Sequence, residues 1–162
     1  NNSGISCPRS SFFVTLTQQL FNMLNYIFRF CEKKMPHQII EYSSNLETKI
    51  DIDGLVAALH NRAAELEPLP LAGLRTRAFG STHFRVADSD PNNAYIAVYL
   101  RIGKGREEDT RIAIGQTLHE CLCDYVKEIY DHDPIALSYE IQEIEPSARW
   151  NTNNLREHLA RR

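Results

Sequence analysis

A proline directly after a methionine is the feature of this sequence with the clearest chemical potential. Translation from Met35, followed by removal of that methionine, would leave Pro36 with a free secondary amine. An N-terminal amine is one of few groups besides histidine whose charge changes near neutral pH. Apolar burial and nearby cations would have to lower the pKa of this basic amine before it could accept protons at pH 7. Pro36 is therefore a candidate general base if the mature chain begins there, and an ordinary turn or strand-start proline if it does not.

Three arginines are candidates for binding an anion near that base. Arg75 and Arg77 are two residues apart in a strand-like segment, so their side chains project from the same face. Arg106 follows Gly103-Lys-Gly105 and is predicted to open a helix, where free backbone N–H groups favour an anion. Arginine binds carboxylates in two-point contacts and stabilises negative charge that develops during a reaction. We expect Arg75 and Arg106 to bind substrate and to act in catalysis, and Arg77 to be mainly structural with a minor place in substrate binding; the alternative for each is a surface or ion-paired arginine.

Other combinations of reactive residues do not complete a known site. His119-Glu-Cys121 begins like the zinc motif H-E-x-x-H but lacks the second histidine. Gly103-Lys-Gly105-Arg106 is too short for a phosphate-binding P-loop and lacks its Lys-Ser/Thr pair. The sequence therefore predicts no metal, nucleotide or flavin, and no other cofactor.

The elements that must position these residues follow a strand-helix-strand order that occurs twice. Apolar residues at helical spacing after a possible N-cap at Asp51 or Asp53 predict the first helix, and Pro68 ends it. Residues 95–102 are almost continuously apolar, which is typical of a strand buried on both faces. The predicted elements are a strand over 37–43, a helix over about 51–66, strands over 74–86 and 95–102, a helix over about 106–130 and a strand over 136–144.

Two such units predict an α+β fold with a four-stranded mixed sheet. Right-handed crossovers would place both helices on one face of that sheet. The other face still carries apolar side chains in the third and fourth strands, so another subunit is expected to cover it. The sequence thus predicts an obligate oligomer.

Composition and charge limit the class of protein further. The 162 residues, 43% hydrophobic and 24% charged, fit one soluble globular domain. The formal charge of −3 combines +3 on residues 1–34 with −6 on residues 35–162, and this acidic body argues against general nucleic-acid binding. The four cysteines form no CxxC pair, which favours reduced thiols and a cytoplasmic location.

Residues 1–34 differ in character from the rest of the chain and are predicted to be a separate leader. Interruptions by polar residues and the lack of an A-x-A site argue against a signal peptide, and no apolar run is long enough to span a membrane. An amphipathic helix that binds a membrane surface or a partner remains possible. We favour a translated upstream region or a non-native extension, because the sequence starts with Asn and Glu32–Met35 can be encoded by the purine-rich GAG-AAA-AAA-ATG. The apolar residues at helical spacing are Phe12, Phe13, Leu16, Leu20, Met23, Leu24, Ile27 and Phe28.

Four short motifs in fixed order resemble one known family. They are Met35-Pro36-His37, Pro70-Leu-Ala-Gly-Leu-Arg75-Thr-Arg77, Ile102-Gly-Lys-Gly-Arg106 and Ala136-Leu-Ser-Tyr-Glu-Ile141. Together they resemble the 5-carboxymethyl-2-hydroxymuconate isomerase family of the tautomerase superfamily. The likeness spans residues 35 to about 155 and leaves out the leader.

The resemblance implies a specific function for residues 35–162. It implies a homotrimer of βαβ-repeat subunits, an amino-terminal catalytic proline at Pro36, and arginines that bind substrate carboxylates at Arg75 and Arg106. The implied activity is cofactor-independent ketonisation of 5-carboxymethyl-2-hydroxymuconate, or a close unsaturated 2-hydroxy acid, in bacterial homoprotocatechuate breakdown. Two alternatives remain open: a hydratase or decarboxylase of the same superfamily, and a non-catalytic trimer that binds small acids or a partner if residues 1–34 are retained.

Overall fold

The computed structural model describes residues 35–162. The prediction of an amphipathic helix in residues 1–34 lies outside the described residues. Within residues 35–162, none of the helices has both the length and the apolar character needed to cross a membrane. The elements are β1 (His37–Ser43), α1 (Ile52–Ala64), β2 (Arg75–Ser81), β3 (Ala94–Gly103), α2 (Glu108–Tyr125), α3 (Lys127–His132), β4 (Ile135–Ile144) and α4 (Leu155–Leu159), with 3₁₀ turns at Ser44–Leu46, Leu71–Gly73 and Pro146–Ala148.

The four strands form one mixed sheet in the order β2-β1-β3-β4. β1 is parallel to β2 and β3 is parallel to β4, while β1 and β3 run antiparallel in the centre. The register places His37 between Arg75 on β2 and Arg101 on β3. The predicted tautomerase-type sheet, built from two βαβ units, is confirmed.

Both long helices pack on the same face of this sheet, as predicted. Leu55 and Leu59 of α1 and Leu118 and Leu122 of α2 are fully buried. They pack with sheet residues such as Ile40, Ile96, Val98, Leu100 and Ile102 in two adjoining apolar clusters. Burial of each such side chain contributes about 1.5–3 kcal/mol to folding, so this face supplies most of the core.

Within one subunit, residues 95–102 are buried on one face of the sheet, and burial of the other face stays a prediction that depends on a covering subunit. Along β3 the side chains alternate between buried and partly exposed, and Arg101 is exposed. The reason is that the two helices cover one face only. Three apolar side chains of this strand, Tyr95, Ala97 and Tyr99, therefore lie on the face of the sheet that the helices leave open.

Two predicted boundaries also need correction. The strand expected over 74–86 ends at Ser81, because its partner β1 ends at Ser43 in register with it. The second helix begins at Glu108 rather than Arg106, since Glu107 is the N-cap and has an extended backbone with φ −61° and ψ 150°. It also breaks near Val126 and continues as the short helix α3.

A buried hydrogen-bonded chain crosses the helix-facing side of the sheet. The Tyr139 hydroxyl donates to Gln38 Oε1 at 2.6 Å, and Gln38 Nε2 donates to Thr76 Oγ1 at 3.3 Å. His60 Nδ1 of α1 lies 3.0 Å from the same Thr76 oxygen. Gln38 is fully buried, so these bonds satisfy a side chain that would otherwise be costly to bury. These hydrogen bonds join β4, β1, β2 and α1. Two of the bonded residues, Gln38 and Thr76, follow Pro36 and Arg75 closely in the sequence.

Tyr139→Phe is expected to destabilise the protein by about 1–3 kcal/mol, because Gln38 Oε1 would remain buried without a donor. The double variant Tyr139→Phe, Gln38→Leu should recover part of that loss, since both polar groups are then gone. Urea unfolding measures both effects. Tyr130→Phe, at a tyrosine that is 61% exposed, is the matched control. Equal stability of Tyr139→Phe and the control would contradict the prediction.

Candidate active site

Pro36 is buried at the entrance to β1, where its carbonyl oxygen accepts a hydrogen bond of 3.1 Å from the backbone N–H of Arg75. In this chain its nitrogen is an amide joined to Met35, whose side chain is only 4% exposed. Met35 lies tightly against the 3₁₀ turn before β2, since a Cβ added to Gly73 would be 2.9 Å from Met35 Cα. A glycine is therefore required at position 73, because any side chain there would collide with Met35. Proline and its preceding methionine lie directly beside the motif that carries Arg75.

Arg75 begins β2 opposite His37, and its Nη1 lies 3.3 Å from His37 Nε2. The guanidinium is exposed and takes part in none of the salt bridges of residues 35–162. It is therefore free to bind an anion. Burial, followed by the charges of Arg75, Arg77, Arg149 and Arg101, lowers the pKa of His37. A neutral imidazole can accept a hydrogen bond from Arg75 and hold it in place.

Arg77 shares the strand face of Arg75, as its spacing predicted. Its guanidinium carbon lies 5.7 Å from the centroid of the Phe79 ring, a distance that suits a cation–π contact. This contact fits the mainly structural role expected for Arg77.

Arg106 lies in a different environment from the one its sequence position predicted. It precedes α2 by two residues, so it does not open the helix. Its guanidinium is buried: Nε and Nη2 donate to the carbonyl oxygen of Pro68 at 3.2 and 2.7 Å, and Nη1 donates to that of Gly103 at 2.9 Å. Desolvation lowers the pKa of Arg106, and the charge of Glu143 opposes that shift. Within one subunit Arg106 fastens the loop leading to Gly73 and Arg75 onto the end of β3.

Arg106→Ala is expected to destabilise the protein by about 2–4 kcal/mol, because the buried Gly103 oxygen and the partly buried Pro68 oxygen lose their charged donor. Thermal or urea unfolding measures the loss. Lys104→Ala is the matched control from the same loop, since Lys104 makes only an exposed 3.4 Å ion pair with Glu145. A destabilisation no larger than that of the control would contradict the structural role.

The structure thus brings Pro36 and Arg75 together, while none of the hydrogen bonds of Arg106 reaches either residue. Sequence reasoning missed His37, Arg101, Arg149 and Asn153. His37 and Arg101 had a detectable signal, because period-two spacing puts each on the strand face of the candidate site. Arg149 and Asn153 follow the last strand and show no periodic pattern. No group of three His, Cys, Asp or Glu side chains within residues 35–162 is arranged to hold a metal ion.

Solved structures define the class of this fold. A fused 4-OT protein described as a symmetric trimer superposes with a TM-score of 0.51 over 72% of this chain and 92% of its own, at 15% identity. At that identity the likeness concerns the fold alone. The βαβ repeat and its mixed sheet place the protein in the tautomerase fold class.

Sequence comparison defines the family within that class. The model of 5-carboxymethyl-2-hydroxymuconate isomerase matches residues 36–159. The 5-carboxymethyl-2-hydroxymuconate Delta-isomerase of Escherichia coli is 32% identical over 121 residues, which cover 75% of this chain and 96% of that protein. The crystal structure of a 5-carboxymethyl-2-hydroxymuconate isomerase from Deinococcus radiodurans R1 has a TM-score of 0.73 and 30% identity, and the match covers 78% of this chain and 96% of that one. The chain belongs to the 5-carboxymethyl-2-hydroxymuconate isomerase family, which confirms the resemblance.

Proposed function

We propose that residues 36–162 ketonise 5-carboxymethyl-2-hydroxymuconate, or a close unsaturated 2-hydroxy acid, without a cofactor, as a step of homoprotocatechuate breakdown. The observation that carries the proposal is the position of Pro36: it is the first residue of the family match, and it is buried beside Arg75 at the entrance to β1. We further propose that residues 1–34 are a translated upstream region or a non-native extension. The Pro36 nitrogen is then a free amine in the working enzyme.

The reaction needs one group that serves as base and then as acid. The Pro36 amine takes the proton of the substrate hydroxyl, the electron pair shifts along the diene, and the amine returns the proton to the carbon at the far end. The product is a conjugated ketone with the same atoms as the substrate, so no other reactant is required. An amine with a pKa near the working pH suits both proton transfers. Arg75 stabilises the negative charge on the dienolate oxygen or a neighbouring carboxylate.

Arg106 has two roles in this proposal. Its bonds to Pro68 and Gly103 hold the loop that carries Gly73 and leads to Arg75. Its second role is to bind substrate, as the sequence predicted. For direct contact, the Arg106 guanidinium must give up one backbone oxygen and bind a substrate carboxylate instead.

The active unit is proposed to be a homotrimer. The sheet face opposite the helices carries partly exposed side chains such as Ile39 and Tyr99, and Phe79 is 54% exposed. An apolar sheet face of this kind is usually covered by another subunit. Analytical ultracentrifugation of residues 36–162 is expected to give a mass near three times that of one chain. A stable monomer at micromolar concentration would contradict this.

The assay follows the change in ultraviolet absorbance as the dienol becomes a conjugated ketone. Residues 36–162 are mixed with 5-carboxymethyl-2-hydroxymuconate, with 2-hydroxymuconate and with halogenated or acetylenic unsaturated acids. Fast ketonisation of the first supports the isomerase. Ketonisation of 2-hydroxymuconate alone supports the same activity on the close 2-hydroxy acid, whereas turnover of only the halogenated or acetylenic acids would support a superfamily hydratase or decarboxylase. No turnover of any of them, with binding intact, would support the non-catalytic trimer.

The proposed location is the cytoplasm. Cys121 and Cys123 are free thiols, and burial raises the pKa of both, so they are poorly reactive. Reduced cysteines suit that compartment. Fractionation of cells that express the natural gene tests this.

A further inference from the structure

The segment that follows β4 returns to the entrance of β1. After the 3₁₀ turn at Pro146–Ala148 it runs towards α4 (Leu155–Leu159). Asn153 Nδ2 donates a 2.7 Å hydrogen bond to the carbonyl oxygen of Ala72 and lies 3.9 Å from Met35 Sδ. This segment therefore contacts both the turn before β2 and the residue that precedes the candidate base.

The contact with Met35 matters because removal of this residue is what frees the Pro36 amine. The Met35 side chain lies between two walls: a Cβ added to Gly73 would be 3.0 Å from its Cγ, and Asn153 approaches its sulfur. Once Met35 is removed, the Gly73 turn and Asn153 border a space beside the free amine. A substrate that reacts at that amine must occupy this space.

Arg149 lies on the same segment, four residues before Asn153, which fastens that segment to Ala72 beside Met35. It is partly buried, and its pKa is lowered first by desolvation and then by the charge of Arg75. Arg149 is also one of the arginines whose charges lower the pKa of His37. None of the salt bridges in the described part of the chain includes Arg75 or Arg149. Glu41, on the same sheet face, is hydrogen-bonded to Ser81 and Tyr95 instead.

The partly buried Arg149 and the exposed Arg75 have like charges and no carboxylate partner among residues 35–162, so an anion between them would offset their repulsion. The substrate of the proposed function has three carboxylates, two from the muconate and one from the carboxymethyl group. In this subunit Arg106 is bonded to backbone oxygens and contacts a carboxylate only after exchanging one of them, so Arg75 and Arg106 leave at least one of the three carboxylates without a partner.

We propose that Arg149 binds one carboxylate of the substrate in the space bordered by the Gly73 turn and Asn153, beside the Pro36 amine. Asn153 is a positioning residue, because its bond to Ala72 fastens the segment that carries Arg149. The identity of the substrate rests on the proposed function, whereas the carboxylate-binding role does not.

The test uses residues 36–162 with Pro36 as the confirmed first residue. Arg149→Gln is expected to raise KM for 5-carboxymethyl-2-hydroxymuconate about tenfold, equivalent to about 1.4 kcal/mol, with kcat within about threefold. Arg149→Lys should recover part of the loss, and Asn153→Ala should raise KM with Arg149 intact. Arg156→Gln, an exposed arginine on α4, is the matched control and should change neither constant.

Binding of tricarballylate, a saturated tricarboxylate that cannot ketonise, is measured in parallel by calorimetry. Weaker binding by Arg149→Gln than by Arg156→Gln supports the inference even if the protein proves not to be an isomerase. Equal KM values and equal tricarballylate affinities for Arg149→Gln and Arg156→Gln would overturn it, whether or not the enzyme ketonises its substrate.

Discussion

A chain that begins at Pro36 is expected to ketonise substrate about 100 to 10,000 times faster than the full 162-residue chain. The reason is that an amide nitrogen shares its electron pair with the adjacent carbonyl and cannot act as a base. In the full chain, Met35 also fills the space against Gly73. Intact-mass measurement establishes the first residue of each preparation, and steady-state kinetics gives kcat and KM.

Pro36→Ala in the shorter chain separates the two causes. This variant has no blocking residue but carries a primary amine, which is less basic than the secondary amine of proline. Most of the activity should be lost. The acid limb of the pH profile of kcat/KM should move to lower pH, because the base must be deprotonated and its pKa has fallen. Equal activity of the full and shorter chains, each with a verified terminus, would remove Pro36 from the mechanism.

Arg75→Gln is expected to lower kcat/KM about 10- to 150-fold. This range corresponds to the loss of about 1.5–3 kcal/mol, which is typical of a hydrogen bond to a charged group. Arg75 is exposed, lies next to Pro36 through the backbone bond between them, and has no salt-bridge partner among residues 35–162. Its removal should therefore affect the ligand more than the fold. Kinetics of the variant, with urea unfolding to confirm its stability, measures the effect.

Arg77→Gln is the matched control for this prediction. Arg77 lies two residues further along the same strand face, and its guanidinium is placed over Phe79. We expect kcat/KM to change by no more than about threefold, with a small loss of stability from the cation–π contact. A loss of activity as large as that of Arg75→Gln would mean that the positive field of the whole face, rather than Arg75 itself, binds the substrate.

The candidate residues were predictable to different degrees. Pro36 and Arg75 could be found because their chemistry depends on residue type and on motifs of a few neighbouring residues. The role of Arg106 was only partly predictable, because Pro68 is 38 residues away in the sequence and no local pattern pairs the two. The start of α2 was misplaced because the extended backbone of the N-cap residue Glu107 cannot be derived from residue type.

The sequence by itself determined the strands, the helices and the two-unit sheet. The reason is that the spacing of apolar residues and the turn-forming residues are local properties of neighbouring residues. It also determined the family, through motifs whose order and spacing are linear properties. Tertiary structure decided which side chains meet. It buried the Arg106 guanidinium against two carbonyl oxygens, left one face of β3 open in the subunit, and returned the segment that carries Arg149 and Asn153 to the turn before β2. Such contacts depend on the path of the chain after β4, which is set by packing between distant segments.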